Sequence, residues 1–167
     1  MPTQLPDAGQ LCSALAAQMR PRVNAASTAL VGIHTGGVWV AERLHALLGL
    51  QTAPGAIDVS FYRDDYGQRG LHANTRTSHI PFEIEGAHII IVDDVLYTGR
   101  TIRAAMNELF DYGRPGKIEL AVLADRGGRE LPIAADFCAC SLSLPASQML
   151  ELERLADGAL AFRLAEK

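Results

Sequence analysis

The segment Ile89-Ile90-Ile91-Val92-Asp93-Asp94-Val95-Leu96-Tyr97-Thr98-Gly99-Arg100-Thr101 joins an apolar run to two adjacent acids, a short turn and the opening of a helix. The first amides of a helix lack partners within it, and the helix dipole adds partial positive charge at the same place. A phosphate monoester seated at Tyr97 to Thr101 would collect those donors together with the hydroxyls of Thr98 and Thr101. Gly99 would let the backbone approach it closely. Asp93 and Asp94, one short turn earlier, suit the vicinal hydroxyls of a ribose, with Mg²⁺ nearby to offset the repulsion between the two charges. A plainer alternative is that the acids cap the loop and Thr101 caps the helix. Two adjacent acids directly after a buried strand fit a ligand crevice better, because open parallel sheets bind ligands beyond the carboxyl ends of their strands.

The elements that must position these groups are legible as periodic patterns. Asp7 suits the N-cap of a helix over Ala8–Met19, with Leu11, Leu15 and Met19 at helical spacing and Pro21 as its stop. Thr28–Ile33 reads as a short buried strand, 34–37 as a loop, and Val38–Leu48 as a helix stopped by Gly49. Ala56–Tyr62 alternates like a strand, and His88–Val92 is a continuous apolar run of the kind found in parallel sheets. The spacing then predicts a loop over Asp93–Arg100, a helix over Thr101–Tyr112 stopped by Gly113 with Pro115 beyond, and strands over Ile118–Ala124 and Phe137–Leu142. Strands alternating with helices imply a mainly parallel sheet covered on both faces. Between Arg63 and His79 the apolar pattern collapses, which reads either as a lid or as a surface loop or hairpin.

Composition narrows the function classes. The 167 residues are 49% apolar and 20% charged, which suits a folded core and excludes a disordered chain. No unbroken apolar stretch approaches the roughly 20 residues of a membrane span. The N-terminal residues lack the basic start and apolar middle of a secretory signal. Cys12, Cys138 and Cys140 do not make a paired disulfide framework, and His34, His45, His72, His79 and His88 show no metal-ligand spacing. The expectation is a cytoplasmic protein with no membrane partner. Fifteen basic residues against nineteen acidic ones give a net charge of −4, a thin supply for a nucleic-acid binder.

Three stretches in order carry a family resemblance. Val92 to Thr101 matches the phosphoribosyl-pyrophosphate (PRPP) signature of type I phosphoribosyltransferases. With Phe61-Tyr62-Arg63-Asp64-Asp65 upstream and Leu123-Ala124-Asp125-Arg126-Gly127-Gly128-Arg129-Glu130-Leu131-Pro132 downstream, the chain resembles the bifunctional pyrimidine operon regulator/uracil phosphoribosyltransferase family from about Val31 to Asp136. The resemblance implies an α/β fold: a single-domain open, mainly parallel sheet with helices on both faces over residues 1–167, with a small hood and a flexible lid loop over 63–79. It implies an Mg²⁺-dependent enzyme that converts uracil and PRPP to UMP and pyrophosphate, in a homodimer or higher homo-oligomer. Asp93 and Asp94 would hold the ribose hydroxyls, partly through Mg²⁺, and Arg63, the third catalytic residue, would with the loop after it form a lid that closes over PRPP and excludes water. Thr98, Gly99, Arg100 and Thr101 would bind the 5′-phosphate, and Tyr97 would shape the base site. The loop Thr35-Gly36-Gly37 would bind pyrophosphate through its amides. The family pattern there is Thr-Arg-Gly, so the missing arginine shifts that burden toward Arg63 or Arg76. Asp125 and Arg126 would lie near the nucleobase or pyrophosphate, a surface ion pair being the competing reading. Some family members also bind pyrimidine-operon leader RNA, which makes RNA a second partner. The remaining alternatives are an attenuator with little catalytic role and a phosphoribosyltransferase for another nucleobase.

Overall fold

Asp7 opens the first helix as the sequence predicts, its carboxylate accepting from the Gln10 amide at 2.9 Å. This helix, α1 (Ala8–Met19), gives way to a single 3₁₀ turn at Arg20–Arg22 around Pro21. The computed structural model describes residues 4–59 and 78–167. Within them the chain continues through β1 (Thr28–Ile33), α2 (Gly36–Leu48), β2 (Gly55–Ile57), β3 (His88–Leu96), α3 (Arg100–Tyr112), β4 (Lys117–Asp125) and β5 (Phe137–Ser141), and closes with β6 (Gln148–Arg154) and β7 (Leu160–Glu166).

The strands β1 to β5 form one parallel sheet in the order β2-β1-β3-β4-β5. From β1 the chain crosses through α2 to one side, and from β3 it crosses through α3 to the other. The boundary between β1 and β3 is therefore a topological switch point, where an open sheet leaves a crevice at its carboxyl edge.

Alternation along the buried strands splits the core in two. Leu30, Ile90 and Val92 face α1 and α2, joining Leu15, Met19, Val40 and Leu44. Val31, Ile33, Ile89 and Ile91 face the opposite side and meet Leu109 and Ala105 of α3. Helices thus cover both faces, and the apolar area removed from water drives the packing. The antiparallel hairpin β6–β7 adds Leu150, Leu152, Leu160 and Phe162 to the α1–α2 side of the core. No helix among the described residues is long and apolar enough to cross a membrane. Burial pushes the thiols of Cys12, Cys138 and Cys140 up from their ordinary values, so none is a ready nucleophile at neutral pH.

Several boundaries differ from the sequence expectation. The strand β3 runs on through Asp93, Asp94 and Val95 to Leu96, where a loop was expected, because pairing with β4 continues to Leu96 opposite Asp125. The helix α2 starts at Gly36 rather than Val38. The strand expected over 56–62 is β2 at Gly55–Ile57, and its expected part beyond Val59 lies outside the described residues. The connection from β4 to β5 contains no helix. The hairpin β6–β7 had no sequence assignment, although Leu150 and Leu152 alternate with Glu151 and Glu153 and Asp157-Gly158 marks a turn.

The amino edge of the sheet holds a charged cluster. Glu119 is 3% exposed. Its carboxylate faces His88 Nε2 at 2.7 Å, Lys117 Nζ at 3.5 Å and the Arg22 guanidinium. His88 Nδ1 in turn lies 3.2 Å from the Thr28 hydroxyl, which also accepts the Asn24 amide. Burial opposes the charged form of Glu119. The hydrogen bond from His88 and the charges of Arg22, Lys117 and His88 outweigh it and hold this carboxyl below the usual range. A depressed folded-state value contributes stability above the unfolded value of about 4.3, and that contribution is lost as pH falls through the folded value. Glu119→Gln is expected to cost about 1–3 kcal/mol at pH 7. The difference between variant and parent should narrow on acidification toward pH 3, below the unfolded value of about 4.3. Urea midpoints at the two pH values check this, and a gap that stays constant rejects it.

Candidate active site

The end of β1 and the end of β3 meet so closely that side chains are excluded between them. A methyl group on Gly36 would overlap Oδ2 of Asp94 and lie 2.8 Å from its Cγ. One on Gly37 would lie 2.5 Å from the Val92 carbonyl oxygen and 3.2 Å from Oδ1 of Asp93. Gly32, on β1 itself, would strike the Gly37 carbonyl oxygen at 2.7 Å. Three glycines thus let the first turn of α2 settle onto the strands, with a cis peptide at His34–Thr35 just before it.

Consecutive strand residues normally face opposite ways. Beyond Asp93 that alternation breaks: Val95 packs with the α1–α2 layer and Leu96 with the α3 layer. Both carboxylates end up against the start of α2, Asp94 at Gly36 and Asp93 at Gly37. Each is also tied to the backbone, Asp93 Oδ1 accepting from the Asp94 amide at 2.9 Å and Asp94 Oδ1 from the Val95 amide at 2.8 Å. Asp93 is 8% exposed, while Asp94 is half-buried.

Two helices begin beside this pair. At the start of α2, Thr35 makes no side-chain cap. At the start of α3, Gly99 is the N-cap in a left-handed conformation, φ 95°. A Cβ there would lie 2.9 Å from Ile133 Cγ1, so both the dihedral and the space favour glycine. The buried Thr98 hydroxyl accepts from the Arg100 amide at 3.2 Å, and Arg100 itself points out, 3.7 Å from Glu130. Thr101 is half-buried in the first turn. Both helix starts bring positive dipole ends to the crevice that holds the carboxylates.

The segment after β4 folds over the turn at 97–99. The Thr98 carbonyl accepts from the amides of Glu130 and Leu131 at 2.9 and 3.1 Å. Arg129 holds three acceptors: the Tyr97 carbonyl at 2.8 Å, the Ile133 carbonyl at 2.8 Å and Asp125 Oδ2 at 2.5 Å. The hydrogen bond from Arg129, reinforced by the Gly127 amide, holds the Asp125 carboxyl below its ordinary value. Asp125 thus sits at the expected strand end but is engaged within its own loop. Arg126 is 7% exposed and turns away from solvent, its guanidinium 4.1 Å above the Tyr97 ring and donating to the carbonyls of Gln148 and Pro145 at 2.7 and 3.2 Å. It takes up two main-chain acceptors and the ring face at the strand end where the sequence places it.

The structure therefore gathers Thr35, Gly36, Gly37, Asp93, Asp94, Tyr97, Thr98, Gly99, Arg100 and Thr101 at one sheet edge. Asp125 and Arg126 line the neighbouring strand end, engaged with Arg129 and with the Tyr97 ring. Arg63, Arg76 and the lid expected at 63–79 lie outside the described residues, apart from Ser78 and His79. There His79 pairs with Ala56, and Ser78 links the Asp58 amide to Glu108. Arg129 was not among the expected site residues; its spacing of four from Asp125 was the available signal. Arg20 donates to the Leu47 carbonyl and Arg22 to Glu119, so neither is a free cation for a nucleic-acid partner.

Among the described residues no group of three or more His, Cys, Asp or Glu could hold a metal. Two carboxylates alone suit Mg²⁺, which binds through one or two of them and takes its other oxygens from substrate phosphates and water.

A parallel sheet with a switch-point crevice, paired acids at a strand end and a Thr-Gly turn at a helix start fits the phosphoribosyltransferase class. The phosphoribosyl transferase domain family matches residues 3–146. Among solved structures, a hypoxanthine-guanine phosphoribosyltransferase from Bacillus anthracis superposes with a TM-score of 0.67 at 18% identity, covering 83% of this chain and 82% of that one. The hypoxanthine phosphoribosyltransferase of Trypanosoma cruzi gives 0.62 at 19% identity, over 83% and 81%. These show the fold. Among curated proteins, the "Bifunctional protein PyrR" of Pseudomonas entomophila (strain L48) is 50% identical over 151 residues, 89% of this chain and 88% of that protein. That of Ralstonia nicotianae is 49% identical over 164 residues, 96% and 94% of the two chains. The chain belongs to the PyrR family of phosphoribosyltransferase-domain proteins.

A Cβ at Gly36 would overlap only the Asp94 side chain, so Gly36→Ala must displace that carboxylate. The expected result is a 10- to 100-fold loss in kcat/KM for PRPP, about the cost of a 1 Å misplacement at a reacting centre. Pyrophosphate release at varied PRPP measures it, and parental kinetics in the variant reject the placement.

Proposed function

We propose that the protein is a uracil phosphoribosyltransferase that makes UMP and pyrophosphate from uracil and PRPP. The observation that carries the reading is the meeting of two carboxylates and two helix starts at the β1–β3 switch point. The turn Thr98 to Thr101 takes the 5′-phosphate on the amides and hydroxyls that open α3. Asp93 and Asp94 take the ribose hydroxyls, which sets the sugar between that phosphate and the start of α2. Gly36 and Gly37 offer main-chain amides to the pyrophosphate from the β1 side. Tyr97 and the segment after β4 flank the sugar from the β4 side, which leaves the nucleobase there. Attacking and leaving groups then lie on opposite sides of the anomeric carbon. The new bond joins uracil N1 to that carbon, the carbon–oxygen bond breaks with its electron pair leaving on the pyrophosphate oxygen, and the N1 proton passes to water. Positioning and fixed charges do the work, with helix dipoles meeting the growing negative charge on pyrophosphate and the carboxylates facing the electron-poor ribose. Mg²⁺, held by Asp93 and Asp94 with substrate oxygens, would neutralise phosphate charge when bound.

The relatives' description as bifunctional supports a second activity in the same chain, for which the family resemblance supplies pyrimidine-operon regulation through leader RNA. Binding of RNA from the chain's own operon in the presence of UMP, measured by filter retention at low salt, tests that part separately.

The catalytic part is tested by UMP formation from uracil and PRPP. Activity should require Mg²⁺, disappear with EDTA and fall to background in the Asp93→Asn/Asp94→Asn double variant. Consumption of hypoxanthine or orotate in place of uracil would overturn the substrate assignment and leave the fold standing.

A further inference from the structure

The family match ends at residue 146, two residues before β6, yet one buried side chain ties the site to the hairpin beyond it. Arg126 leaves the end of β4, lays its guanidinium over the Tyr97 ring at 4.1 Å, and donates to the Pro145 and Gln148 carbonyls at the entrance of β6. Its buried Nε finds no acceptor among the described residues. Buried donors without partners are uncommon and ask for a reason other than stability. On the other side of the loop, Gly128 has φ 77°, and a Cβ there would overlap Cε2 of Tyr97 and lie 2.9 Å from Cδ2. The ring therefore fills a slot that any side chain at 128 would close. At the far end of the chain, Lys167 Nζ lies 5.2 Å from the same ring, and the Lys167 amide bonds to the Ser147 carbonyl. Tyr97 is thus fixed by cationic contacts from Arg126 and Lys167, by the open space at Gly128, and through its carbonyl by Arg129.

We propose that Arg126, with Gly128, is a positioning residue for nucleobase selection: it clamps Tyr97 as the wall of the base site and couples that wall to the seating of the β6–β7 hairpin. The proposal rests on the phosphoribosyltransferase reading, in which Tyr97 flanks the nucleobase from the β4 side. Arg126 acts through the ring it stacks on and the main chain it holds. Planarity matters here, because a guanidinium stacks and reaches two carbonyls at once, whereas an ammonium does neither as well.

The test compares the full-length parent with Arg126→Gln, Arg126→Lys and Gly128→Ala. KM for uracil and KM for PRPP are measured separately, along with turnover of uracil against cytosine and hypoxanthine. Arg126→Gln should raise KM for uracil about tenfold while KM for PRPP stays within about twofold, and should narrow the preference for uracil. Arg126→Lys should restore part of that loss. Gly128→Ala, at an exposed loop position, should reproduce the uracil-selective defect by pushing the ring aside, with a local strain at φ 77° that a melting temperature reads separately. The two KM values rising together, or a lower melting temperature with both KM values unchanged, would mark Arg126 as structural only. Parental kinetics in Gly128→Ala would overturn the proposal even if the Arg126 variants fail to fold. A parent protein that consumes PRPP with a different base sinks the uracil reading but leaves the clamp testable on that base. A parent that consumes PRPP with none of them sinks both.

Discussion

The structure depends on the absence of side chains where β1 hands over to α2. Gly32, Gly36 and Gly37 allow backbone to rest on backbone and on the Asp93–Asp94 pair, with no space left for a Cβ. Close approach is what brings a helix start, with its positive dipole end, next to two carboxylates that would otherwise repel one another at a strand end. It also sets the width of the crevice at the switch point. At position 36, where the family pattern has arginine, a Cβ would first meet the Asp94 side chain, whereas at Gly32 and Gly37 it would meet backbone.

The two edges of the sheet divide their labour. At the amino edge, Glu119 collects His88, Lys117 and Arg22 around one buried carboxylate, and Arg22 also covers the Phe137 ring at 4.6 Å. That cluster sits at the edge opposite the switch-point crevice, and its ion pairs tie β3, β4 and the turn after α1 together. At the carboxyl edge, charged groups face a crevice, and the segment after β4 restrains them. Arg129 exemplifies that restraint, holding Asp125, the Tyr97 carbonyl and the Ile133 carbonyl at once. A site made of strand ends and loops gains its rigidity from such cross-links between neighbouring strands.

Much of this was readable from residue order. The spans of α1 and β1, the apolar run of β3, the helix after Thr98-Gly99 and the strand β4 follow from periodicity and punctuation, since burial imposes a repeat of about 3.6 or 2 on the chain. The boundaries that moved did so for long-range reasons. Pairing with β4 carries β3 through two acids that local propensity assigns to a loop. Packing on β1 and β3 allows α2 to begin at paired glycines, poor helix formers by themselves. The hairpin β6–β7 carried an alternating signal, but its place against α1 and α2 depends on partners more than a hundred residues earlier in the chain.

What the sequence determined by itself was the chemistry on offer: two acids after a buried strand, a Thr-Gly-Arg-Thr helix start, and the family these motifs define, because such signals are short and contiguous. Only the tertiary structure decided how those groups are arranged. It set both carboxylates against the same glycine turn, engaged Asp125 with Arg129, and turned Arg126 inward onto Tyr97 and the hairpin entrance. The direction of a side chain at a strand end depends on which acceptors and ring faces neighbouring strands present. That is a property of the packed sheet and of no single segment within it.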